Sequence, residues 1–99
     1  MKNNITDTPD DLVFFWKEIQ KIQDFVVNVS LSKISKYDDM EKLLNDVTYE
    51  TIYGLMELLD GHKNNDLRGE IIYKLTDSSI NSDIELHNYC EVYLNCSDI

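Results

Sequence analysis

His62 and His87 are the two histidines of the chain, and with Cys90 and Asp83 they are the residues whose types and spacing could do chemistry. His87 and Cys90 read His-x2-Cys, and Asp83 precedes His87 by one helical turn. A thiol and an imidazole on one helical face can pair as nucleophile and base, or supply half of a zinc site. Structural zinc takes four such ligands at closed spacing, and the spacing here offers no such set. Cys90 also falls at a core position, so the plainer account of His87 is a part-buried or surface histidine.

Asp60, His62, Asn64 and Asp66 occupy alternate positions, a superficial likeness to a calcium loop. The glycine stands second rather than sixth, however, and no glutamate stands twelfth. A helix end followed by a solvated loop explains the same residues. There is no strand–turn–helix serine elbow and no glycine-rich phosphate loop, and Arg68 is the only arginine. The expectation is a non-enzymatic protein with no metal site and no cofactor.

Several elements would position these groups. Thr8-Pro9-Asp10-Asp11 combines an N-cap hydroxyl, a proline at the first helical position and two acids in the first turn. Leu12, Phe15, Ile19, Ile22, Val26 and Val29 then recur every three or four residues, so a helix is expected from 9 to about 30. Leu12-Val-Phe-Phe-Trp16 is apolar all round, so Val13 and Phe14 need a cover of their own, either the C-terminal helix or a second molecule. Asp38 or Asp39 can cap a helix carrying Met40, Leu43, Leu44 and Val47. Thr48 offers another cap before Ile52, Leu55, Met56 and Leu59, which leaves one helix or two open over 38–60. Gly61 suits a left-handed C-cap.

Residues 62–66 read as a loop. Leu67, Ile71, Tyr73 and Leu75 alternate with polar residues as in a half-buried strand, Thr76–Ser79 is a turn, and Ile80 could start a return pairing. Ser82-Asp-Ile-Glu85 has the form of a capping box, opening a last helix with Leu86, Cys90, Tyr93 and Leu94 inward. The expected fold is one α+β domain over 1–99, mainly α. It has three to four helices with one short strand or β-hairpin between the third and last helix, and 1–8 as a flexible tail.

Composition bounds the class. At 42 % hydrophobic with ten aromatics, the chain is too apolar to be disordered despite its charge. Alanine is absent, so the helices depend on burial more than on propensity. The opening residues lack the apolar stretch of a signal peptide and no run approaches a membrane span, from which a cytoplasmic location is expected. Cys90 and Cys96, six apart, point to different sides of a continuous helix and read as reduced thiols.

Charge is the strongest signal. Residues 1–36 hold five acids and five bases, whereas 37–99 hold fourteen acids against Lys42, Lys63, Arg68 and Lys74, so the net charge of −10 belongs to the latter. Such a field favours cationic partners and repels nucleic acid and anionic membrane. A solvated surface that keeps a small protein soluble is the plainer account.

Tyr53-Gly-Leu-Met-Glu-Leu-Leu-Asp60-Gly61, the strand Glu70-Ile-Ile-Tyr-Lys74, Ser79-Ile-Asn81 and Glu85-Leu-His87 follow one another in an order that resembles small acidic immunity-type proteins of bacterial polymorphic toxin systems. The resemblance spans residues 49–94, and Asn88 and Cys90 depart from the short aliphatic or aromatic residues usual there. It implies an inhibitor that neutralises a cognate, often basic, toxin of the same cell, and it supplies no residue-level site. Glu50, Glu57, Asp60, Asp66, Asp83 and Glu85 are the residues expected to pair with the Lys and Arg side chains of that basic toxin domain. The rivals are a DNA-mimic or host-modulating phage or viral protein, a structural homo-oligomer, such as a homodimer paired through Val13, Phe14 or the strand edge, and a small enzyme with a pocket lined by His87 and Cys90.

Overall fold

A computed structural model describes residues 10–62 and 68–97, the Asp11 side chain excepted. Helix α1 (Asp10–Lys33) passes through a 3-10 turn at Ile34–Lys36 into helix α2 (Met40–Leu59). Strands β1 (Ile72–Tyr73) and β2 (Ser78–Ser79) then form an antiparallel hairpin, with Ile72 opposite Ser79 and Tyr73 opposite Ser78. A 3-10 turn at Leu86–Tyr89 leads into the short helix α3 (Cys90–Tyr93). The molecule is mainly helical with one small hairpin between its second and third helices, the expected α+β class. Among the described residues no helix is long and apolar enough to cross a membrane. The Thr8–Pro9 cap and the proposed 1–8 tail lie outside the described residues.

The α1 seam works as its spacing requires. Ile22 and Val26 are buried against Leu58 of α2, with Phe15, Ile19, Val47 and Leu55 packed around them. Leu12 is an exception and stays exposed. The helices are in tight contact at Gly54, where an added Cβ would stand 2.8 Å from Ile22 Cγ2. Val13 and Phe14 are not covered by the C-terminal segment; both are exposed, as are Trp16, at 59 %, and Phe25 on the same helix.

Residues 40–59 form one helix, not two. Asp39 caps it, its carboxylate accepting the Lys42 N–H at 2.8 Å. Thr48 does not start a helix, because its hydroxyl bonds back to the Leu44 and Asn45 carbonyls inside a continuous one. Met40 and Leu44 are exposed on this helix. The C-terminus closes as Gly61 demands: at φ +84° the His62 N–H reaches the Glu57 carbonyl and the Gly61 N–H reaches that of Leu58, a Schellman arrangement.

The half-buried strand expected across Leu67–Leu75 is largely absent. Only Ile72 and Tyr73 are strand, both exposed, and Leu75 is 101 % exposed; Leu67 lies outside the described residues. The backbone there bonds elsewhere: the Gly69 N–H goes to the Leu59 carbonyl and the Ile71 N–H to the Asn81 side chain. The return begins at Ser78, with the Ile80 N–H closing on the Ile71 carbonyl. The capping box at Ser82–Glu85 does not form either. Residues 82–84 are a bend, the last α-helix is a single turn, and Tyr93 points out at 77 % exposure. Cys90 is buried, and both cysteines are free thiols.

Candidate functional site

The C-terminal end of α2 holds a polar latch, built by Asp60 just past the last helical residue. The Asp60 side chain is 0 % exposed. Its carboxylate accepts the Leu86 N–H at 2.8 Å, the His87 N–H at 2.9 Å and His87 Nδ1 at 2.7 Å. Burial alone would raise this carboxyl group. The His87 N–H, the His87 ring and the Leu86 N–H outweigh burial and hold it below the ordinary aspartate value. Asp60 thus caps the 3-10 turn from across the chain, which is why Ser82 is not needed there. A carboxylate offers the stronger acceptor.

Arg68 and Asn81 complete the latch. Arg68 Nη1 donates to the Asp60 carbonyl at 2.8 Å, and Nη2 to those of Asn81 and Ile84 at 2.9 and 3.0 Å. Asn81 is wholly buried: Oδ1 accepts the Ile71 N–H and Nδ2 donates to the Gly69 carbonyl, both at 2.9 Å. Charge pattern gives no sign of Asn81; only its place in the Ser-Ile-Asn stretch singled it out. A second anchor, also missed from sequence, is Asp46 on α2, which accepts from the Tyr37 hydroxyl at 2.6 Å, from the Ser97 N–H at 2.6 Å and from the Ser97 hydroxyl.

Beside the latch, His62, Glu85 and His87 converge, their ligand atoms all within 4.8 Å of one another. His62 Nε2 stands 3.2 Å from Glu85 Oε2, and the two imidazole centroids are 4.5 Å apart. Tyr53 meets the His87 ring edge-on at 5.5 Å. Cys90 does not join this group: its thiol is buried, which pushes its pKa up, and the Asp60 and Glu57 charges push the same way. That environment opposes the thiolate a nucleophile or zinc ligand requires.

The six residues expected at a partner surface fall into different surroundings. Glu50 and Glu57 are half-buried on one face of α2 with Tyr53 between them. Burial raises the Tyr53 hydroxyl pKa, and the charges of Glu57, Cys90, Glu50 and Glu91 add to it. The stacked pair Tyr49–Tyr53, at 6.1 Å, and the carboxylates Glu50, Glu57 and Glu91 therefore share one acidic, tyrosine-rich face. Asp83 is exposed on the bend before the 3-10 turn. Glu85 is turned towards His62 and, at 3.8 Å, Arg68. Asp66 lies outside the described residues. Asp60 is corrected outright: a side chain with no exposed surface cannot meet a partner's base, and its charge is spent inside the latch.

Against this geometry, no protein-family model, curated protein or solved structure matches the chain.

Proposed function

We propose that this protein is a non-enzymatic, acidic protein-binding inhibitor of the immunity type, acting in the cytoplasm on a basic bacterial toxin domain. The observation that carries the reading is the face shared by Glu50, Glu57 and Glu91 with Tyr49 and Tyr53. Carboxylates attract Lys and Arg over distance and accelerate encounter. Tyrosines supply rigid contact area and a π-face for the arriving cations.

The test is association with a candidate basic toxin domain sought among the neighbouring genes, followed by stopped flow at rising salt. Replacing Glu50, Glu57 and Glu91 by Gln and Asp83 by Asn should slow association at least tenfold at low salt and flatten its salt dependence. An unchanged association rate refutes the reading. Asp60 and Glu85 are left intact, because both serve the latch region.

A second reading, a homodimer, draws on the exposed Val13, Phe14, Trp16 and Phe25 of α1. Sedimentation decides it: a strict monomer excludes the dimer.

A further inference from the structure

We propose that His62, Glu85 and His87 bind one divalent transition-metal ion of borderline character, with zinc as the natural probe. The proposal stands apart from the inhibitor reading and rests on three observations. Two imidazoles and a carboxylate already lie within 4.8 Å of one another, close to the spacing of about 3.4 Å that bonds of about 2.1 Å set in a tetrahedral site. His87 Nδ1 faces a carboxylate oxygen that only accepts, so Nδ1 is the donating nitrogen of the ring and Nε2 is the one left for a metal ion. Carboxylate–histidine pairing of this kind orients and strengthens a metal-binding imidazole. Glu85 Oε2 is buried and accepts no hydrogen bond among the described residues, although His62 Nε2 and Arg68 Nη1 lie 3.2 and 3.8 Å away.

An oxygen that is buried, anionic and without a hydrogen bond calls for a cation. Arg68 fills that role only in part, since three of its five guanidinium hydrogens go to the carbonyls of Asp60, Asn81 and Ile84 and its Nη1 stands 3.8 Å from Oε2, beyond hydrogen-bond reach. It stands near enough to lower the cost of two neighbouring carboxylates. His62 follows directly after the left-handed Gly61 and is exposed, so its ring can close the remaining distance. Two nitrogens and one oxygen suit zinc, nickel or cobalt better than calcium or magnesium. Ligands from positions 62, 85 and 87 would fasten the C-terminal segment to the end of α2, so the ion acts on stability. Linear spacing hides this set, because His62 and Glu85 are brought together by the hairpin between them.

The test uses the whole chain, freed of metal by chelation and dialysis. Zinc titrated calorimetrically should bind at one ion per chain and raise the melting temperature. Cobalt should give visible bands without a sulfur charge-transfer band, and both imidazole signals should shift in the NMR spectrum. His62→Ala and Glu85→Gln, chosen because both side chains are partly exposed and outside the Asp60 bonds, should each weaken zinc at least tenfold and abolish the melting shift. His87→Gln is a poorer probe, since it also breaks a latch bond. The proposal is overturned by any of three results: no saturable zinc binding to the wild type, binding that both variants retain, or a cobalt spectrum showing thiolate ligation.

Discussion

Replacing Asp60 by Asn keeps the shape of the side chain and removes its charge, and the geometry fixes what should follow. The carboxylate accepts three donors at 2.7–2.9 Å with no exposed surface. An asparagine can still offer Oδ1 to the Leu86 N–H. Its amide group would then face the His87 N–H, donor against donor, and could bond the His87 ring only with the ring proton moved to Nε2. One buried donor loses its acceptor, at about 1–3 kcal/mol, and the Leu86 and ring bonds lose their charge assistance. The losses are coupled and not additive, so about 3 kcal/mol is the expected total. Against a stability on the order of 5–15 kcal/mol for a small domain, that is a large fraction. With a urea slope of about 1.5 kcal/mol/M, the midpoint should fall by about 2 M. Amide hydrogen exchange should locate the damage, with Leu86 and His87 losing protection while Ile22 and Val26 in the α1–α2 core keep theirs. A midpoint shift below about 0.3 M, with Leu86 and His87 still protected, would refute the latch. Weakened partner binding on an otherwise unaltered fold would return Asp60 to the surface role first expected of it.

Gly54→Ala should gain about 1 kcal/mol of helix propensity yet lose about 1–3 kcal/mol against the stiff Ile22 methyl 2.8 Å away. A fall in melting temperature of about 5 °C is expected, and an unchanged or raised value would mean the helices can part freely. The Tyr37 hydroxyl is pushed up to about 12, first by its hydrogen bond to Asp46, then by burial and the Asp46 charge. A raised folded pKa means that its contribution is whole below about pH 10 and lost as pH climbs from about 10 to about 12. The stability difference between wild type and Tyr37→Phe should therefore shrink over that range; a pH-independent difference contradicts it. For Asp46, burial alone would raise the pKa, but hydrogen bonds from the Ser97 hydroxyl, Tyr37 and the Ser97 N–H lower it on balance. Its contribution is thus kept above the ordinary aspartate value and lost as pH falls through the depressed one, which Asp46→Asn should abolish in acid titrations. Asn81→Ala leaves the Ile71 N–H and the Gly69 carbonyl without partners and should cost about 2–4 kcal/mol, with faster exchange at the Ile71 amide; wild-type protection there would show that the hairpin holds without it.

The sequence by itself determined the elements whose causes are local. The period of Ile19, Ile22 and Val26 placed the buried stripe of α1, the aspartates at 38 and 39 marked the start of α2, and Gly61 marked its end, because each acts within one turn of chain. The tertiary structure decided what each polar group meets. Thr48 has the form of a cap in either reading, and only a continuous helix supplies the carbonyls that take its hydroxyl. The alternation through Ile71 and Leu75 suited a covered strand, but the neighbouring backbone was drawn to Leu59 and Asn81 instead. Asp60 has the composition of a surface acid, and its charge is stabilised by amides 26 and 27 positions later. Periodicity reports which way a residue faces, not what stands opposite. For a carboxylate, what stands opposite separates a partner contact from an internal cap or a metal ligand, and a chain segment two dozen residues away supplies it.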